Sequence, residues 1–161
     1  MDRLTAAAIM ASSEATLAPD TDIYKAMRQL LSSRLTGAPV VDADGRLLGM
    51  LTERDCLKVL VSGALDGLPS GKASDYMTAP AVSIRPGTPL YDIAHIFLTR
   101  SFRKLPVVDD DGRVVGQVSR RDVLTAIESN RDNSRLYGEA DRTAPDGSGV
   151  DSAMRVARDR K

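Results

Sequence analysis

A chain of 161 residues, 42% hydrophobic and 27% charged, has the size and mix of one soluble domain or two small subdomains sharing a core. Its 22 basic and 22 acidic residues cancel, so the total charge does not favour nucleic acid, whose phosphates draw a basic excess. A single cysteine excludes an intramolecular disulfide and a cysteine-rich zinc site; a reducing cytoplasm is the simplest compartment, and no apolar run approaches the roughly 18 residues of a membrane span.

From Met1 to Ala11 the apolar run is short and broken by Thr5, which reads as a helix start rather than a signal peptide. An extended piece, Thr16 to Ala18, leads to Pro19 and a turn. Apolar residues then fall at Ile23, Ala26, Met27, Leu30 and Leu31, the stripe of a helix with one buried face. Two β-rich runs, Ala38 to Val41 and Leu47 to Leu51, are joined by Asp42-Ala43-Asp44-Gly45, a hairpin signal. A second helix comes after Thr52, with Leu57, Leu60 and Val61 on its apolar face. Ser62 to Ser74 has linker composition, with Gly63, Gly67, Pro69 and Gly71.

The same unit then recurs. A shift of 67 residues superimposes Pro19–Leu60 on Pro86–Ile127 without a gap, with 15 of 42 pairs identical. Ala81 to Ile84 is the extended piece. Leu90, Ile93, Ala94, Phe97 and Leu98 form the helical stripe. Leu105 to Val108, Asp109 to Gly112 and Val114 to Val118 form the hairpin, and Val123, Leu124 and Ile127 mark the second helix after Ser119. The expected fold class is α/β of the α+β kind, two pseudo-symmetric β-α-β-β-α repeats packed as one disc-like module. Repeat one covers 6–62, a linker 63–74, repeat two 75–128, and a polar, flexible tail 129–161. Within that tail Val150, Ala153, Met154 and Ala157 are spaced for a short helix.

Two motifs stand at equivalent places, Gly49-Met50-Leu51-Thr52-Glu53-Arg54-Asp55 and Gly116-Gln117-Val118-Ser119-Arg120-Arg121-Asp122. Thr-x-x-Asp and Ser-x-x-Asp resemble capping boxes, with the hydroxyl at the N-cap and the acid at N3. A helix N-terminus is also where phosphate oxygens are favoured, so a capping role and a ligand role are compatible. The only histidine, His95, aligns with Arg28 on the polar side of its helix and reads as solvated. Cys56 aligns with Val123 and reads as a small hydrophobe. No nucleophile with its base, no metal cluster and no GxxxxGK loop is legible, so the chain does not read as an enzyme.

The segments "APVVDADGRLLGMLTERD" (Ala38 to Asp55), "LPVVDDDGRVVGQVSRRD" (Leu105 to Asp122) and "YMTAPAVSIRPGTPL" (Tyr76 to Leu90) resemble the CBS-domain family over roughly residues 6 to 128. The resemblance implies a non-catalytic sensor that binds AMP, ADP, ATP, an NAD-type dinucleotide or S-adenosylmethionine. It implies no further cofactor, no nucleic acid or membrane partner, a homodimer, and a regulated protein that the sequence does not name. The family's ribose carboxylate maps to Asp55 and Asp122, which gives two unequal clefts. One would join Thr52 and Asp55 to Thr78, Val82, Arg103, Lys104, Pro106 and Arg121. The other would join Ser119 and Asp122 to Ala11, Ala15, Thr36, Gly37, Pro39 and Arg54. Up to three cations favour the first as the phosphate site. The competing class is a ligand-free module whose helices dimerise or dock on a partner.

Overall fold

The computed structural model describes residues 3–12, 15–66, 70–131 and 155–156, with the backbone alone at 64–66 and 155–156. In chain order these form α1 (Ala6–Ile9), α2 (Ile23–Ser32), β1 (Gly37–Val41), β2 (Leu47–Thr52), α3 (Glu53–Asp66), α4 (Ala73–Tyr76), β3 (Val82–Ser83), α5 (Leu90–Thr99), β4 (Lys104–Val108), β5 (Val114–Ser119), α6 (Arg120–Ser129) and β6 (Arg155–Val156). The fold is the expected mixture of helix and strand, divided into two compact units. Among the described residues one unit holds 15–81 with the hairpin tip 110–114, and the other holds 3–12, 82–109 and 115–131.

In the first of these, the side chain of Asp22 caps α2 by accepting the Lys25 N–H at 3.1 Å. Ile23, Ala26 and Leu30 are buried as the stripe requires, whereas Leu31 is exposed. Eight residues advance a helix by about 800°, some 80° past the start of the stripe, so the last position leaves the core. Strands β1 and β2 pair antiparallel with Ala38 opposite Leu51, and the register shifts between Val40 and Val41. At the hairpin turn Asp42 accepts the N–H groups of Asp44 and Arg46, both at 2.9 Å, and Gly45 takes a φ of 81°. The expected extended piece reduces to one parallel bridge, Leu17 to Val40, and Thr78 bridges Met50 on the free edge of β2.

The other unit repeats this plan. Ile93, Ile96 and Phe97 of α5 are buried, Leu98 is exposed, β4 pairs with β5, and Ile84 bridges Val107 in parallel. Ala11 bridges Gln117 where Thr78 bridges Met50 in the first unit.

The leading segments are exchanged between repeats. Helix α4, which opens the second repeat, lies in the first unit, where the N–H groups of Ala73 and Ser74 donate to the carbonyls of Thr21 (2.8 Å) and Pro19 (3.0 Å). Helix α1, which opens the first repeat, lies in the other unit. There Ala6 and Ala7 donate to Thr88 and Pro86, both at 2.8 Å. Ala73 and Ala6 are each fully buried in the core they join.

The later helices also depart from expectation. Helix α3 buries Val59 and Asp55 but exposes Leu57, Leu60 and Val61; α6 buries Val123 and Ala126 but exposes Leu124 and Ile127. Helix α3 runs on to Asp66 through Gly63, whose cost within a helix is about 1 kcal/mol, so the linker begins later than its composition suggests. The four tail residues spaced for a helix lie outside the described residues, while β6 pairs with β3.

Candidate functional site

Strand β2 ends at Thr52 and α3 begins at the next residue, so the hairpin delivers a hydroxyl and a carboxylate to one helix N-terminus. Asp55 is only 2% exposed. Its Oδ2 accepts the Thr52 N–H at 3.0 Å and the Thr52 hydroxyl at 2.9 Å, while the Asp55 N–H donates to Thr52 Oγ1 at 3.2 Å. That is the reciprocal capping box the spacing suggested. Its Oδ1 accepts Lys58 Nζ at 2.7 Å and the Thr78 hydroxyl at 3.0 Å. Burial alone would raise the carboxyl's pKa, but the bonds from Lys58, Thr52 and Thr78 outweigh it and hold the group below its ordinary value. Burial, with Asp55 and Glu53 nearby, pushes the Cys56 thiol up, which suits the small hydrophobe expected there.

The equivalent corner joins β5 to α6. Asp122 Oδ2 accepts the Ser119 N–H at 2.6 Å and the Ser119 hydroxyl at 2.7 Å, and the Asp122 N–H donates to Ser119 Oγ at 3.2 Å. Asp122 is half-buried, and its Oδ1 has no hydrogen-bond partner among the described residues.

The motif glycines have a packing reason of their own. A Cβ on Gly49 would lie 2.7 Å from Met77 Sδ and 2.9 Å from the Thr78 carbonyl oxygen. One on Gly116 would lie 2.7 Å from Met10 Sδ and 2.8 Å from the Ala11 carbonyl oxygen. Each glycine lets an exchanged leading segment close against the strand that carries the hydroxyl.

Of the residues singled out in the sequence, Thr52, Asp55 and Thr78 are hydrogen-bonded together in one unit, which also holds Pro39 and Arg54. Ser119 and Asp122 are joined in the other, which also holds Val82, Arg103, Lys104, Pro106 and Arg121. Pro39 and Pro106 are fully buried, and their carbonyls accept Leu17 N–H (2.9 Å) and Ile84 N–H (3.0 Å). Arg54, Arg103 and Arg121 are exposed and Lys104 is half-buried. Ala11 joins Asp122's unit, while Ala15, Thr36 and Gly37 lie in the other. The sequence reading missed Lys58, although its place three residues after Asp55 on a helix was the available signal. His95 is half-buried rather than solvated, with Nδ1 enclosed and unpaired. Among the described residues no cluster of three or more His, Cys, Asp or Glu side chains is placed to hold a metal. No described helix is long and apolar enough to cross a membrane.

The model of the CBS domain family matches residues 6–62 and 73–129. The chain is 32% identical over 123 residues to protein MJ1225 of Methanocaldococcus jannaschii, covering 76% of this chain and 42% of that one. It therefore spans less than half the length of this relative. The crystal structure of CBSX2 of Arabidopsis thaliana in complex with AMP superimposes with a TM-score of 0.69 at 29% identity, covering 79% of this chain and 98% of the other. The cytosolic domain of the Mg2+ channel MgtE in complex with ATP superimposes with a TM-score of 0.64 at 28% identity, covering 76% and 48% respectively.

Proposed function

The chain belongs to the CBS-domain family, and we propose that it is a non-catalytic regulatory module that binds an adenosine-type nucleotide. One observation carries this reading: a carboxylate held by a hydroxyl at a helix N-terminus occurs twice, once in each compact unit. A carboxylate can accept from both vicinal hydroxyls of a ribose, and the exposed N–H groups of a helix start favour phosphate oxygens. The likeness to CBSX2 with AMP and to the MgtE cytosolic domain with ATP supports the same class of ligand. AMP, ADP and ATP lead the candidates, ahead of NAD(H) and S-adenosylmethionine. Arg54, Arg103, Lys104 and Arg121 are the proposed phosphate partners, with Thr78, Val82, Pro106 and Pro39 lining the ligand.

The test is a thermal-shift screen of the full chain against AMP, ADP, ATP, NADH and S-adenosylmethionine. A ligand that binds only the folded state stabilises it by about 2.7 kcal/mol at a hundredfold excess over Kd, which raises the melting temperature by several degrees. A flat screen would favour the second reading, a ligand-free module for self-association or docking. The exposed leucines of α3 and α6 speak for that role, and self-association is compatible with both readings.

A further inference from the structure

The two corners look alike in sequence but differ at the oxygen that faces away from the cap. A carboxylate offers roughly four acceptor positions over its two oxygens. At Asp55 four donors fill them: the Thr52 N–H, the Thr52 hydroxyl, Lys58 Nζ and the Thr78 hydroxyl. At Asp122, among the described residues, two donors, both from Ser119, engage Oδ2 alone. The cause is two substitutions between the repeats. Lys58 corresponds to Thr125, whose hydroxyl turns back to donate to the Arg121 carbonyl at 2.9 Å. Thr78 corresponds to Ala11, whose side chain carries no donor.

We infer that Asp122 is the ribose acceptor of this chain, and that Lys58 and Thr78 withhold Asp55 from nucleotide. This assignment rests on the proposed nucleotide-binding function and deepens it. A diol arriving at Asp55 must first displace an ammonium at 2.7 Å and a hydroxyl at 3.0 Å. At Asp122 it meets an oxygen that accepts from none of the described residues, so it displaces no described donor. Among the bonds that lower the Asp55 pKa, those from Lys58 and Thr78 are the ones a ligand there would have to replace. This ranking reverses the one suggested by the cations expected around Asp55, and it takes Thr78 out of the proposed ligand lining. Lys58 becomes the residue that limits the chain to one nucleotide, and its half-exposed side chain is held to Asp55 by the bond at 2.7 Å.

Calorimetric titration of the full chain with AMP tests this. The wild type is expected to bind one nucleotide per chain. Asp122→Asn should weaken binding on the order of ten- to hundredfold, the effect of a lost charge-assisted acceptor, and Asp55→Asn should leave it within about twofold. Lys58→Thr combined with Thr78→Ala gives the first repeat the second repeat's residues and should add a second nucleotide per chain. Loss of binding in Asp55→Asn with retention in Asp122→Asn would overturn the inference, as would a double variant that still binds one. Should Asp55→Asn fail to fold by circular dichroism, the stoichiometry of the double variant decides alone. A wild type that neither binds AMP nor shifts in melting with any of the five ligands overturns the proposed function itself, which separates the two failures.

Discussion

Asp55 and Asp122 hold the same place in the repeat, yet their removal should cost different amounts. Asp55 is buried and receives four donors from three residues, so Asp55→Ala leaves the Thr78 hydroxyl, as well as the Thr52 N–H and hydroxyl, without an acceptor inside the fold. That loss should be about 1.5–3 kcal/mol. Asp122→Ala removes a half-buried cap and should cost about 1 kcal/mol. Urea denaturation of the two variants measures the difference; equal losses would mean that the bonds to Oδ1 do not stabilise the fold. Since the folded pKa of Asp55 is lowered, its contribution is complete above the ordinary carboxylate value of 3.8. It fades as pH falls from there through the lower folded value. Asp55→Asn should therefore flatten the acid limb of the stability curve below that pH, and an unchanged limb would contradict the assignment. The caps were legible in the sequence because both partners lie within three residues. The Thr78 bond was not legible from local spacing, because its donor lies 23 residues downstream and reaches Asp55 only through the exchanged segment.

Helix ends show the same contrast between local and distant information. At the end of α2 the Leu35 N–H donates to the Leu30 carbonyl at 2.9 Å and the Arg34 N–H donates to the Leu31 carbonyl at 3.2 Å. This is a Schellman closure, and its left-handed position is held by Arg34 at a φ of 52°, where glycine is favoured. Arg34→Gly should relieve that strain, partly offset by the greater freedom of glycine in the unfolded chain. The net gain is about 0.5–1 kcal/mol, or a melting temperature higher by about 1–4 °C. A β-branched residue at the same site, Arg34→Val, should lower it, and a fall with glycine would show that the position is not strained. Helices α2 and α5 were readable because ten residues suffice to display a 3.6-residue period, although Leu31 and Leu98 had drifted off the stripe by the last turn. Helices α1 and α4 have four residues each, a single turn with no period to read. Their partners, Thr88 and Thr21, are far along the chain, so no local signal reports the exchange.

At the scale of the molecule, that exchange ties the repeats together: Ala73 of the second completes the core around α2, and Ala6 of the first completes the core around α5. Each unit thus closes its interior with a borrowed segment, and the helices after the hairpins turn apolar side chains outward. On α3, Leu57, Leu60 and Val61 are 66%, 76% and 71% exposed at i, i+3 and i+4, one continuous face; on α6, Leu124 is 65% exposed. Fully covering a leucine or valine contributes about 1.5–3 kcal/mol, so leaving this face in water is costly beside a total stability of about 5–15 kcal/mol. A second copy is the simplest cover, because a two-fold axis brings the same apolar face to both sides of the contact. Light scattering of the full chain at high micromolar concentration should give about twice the monomer mass of 17.3 kDa. Leu57→Glu with Leu60→Glu should convert the species to monomer while leaving far-UV circular dichroism unchanged, because neither side chain contributes to the core of its own unit. A wild-type monomer at that concentration would end the idea, and a double variant that stays dimeric would move the contact away from α3.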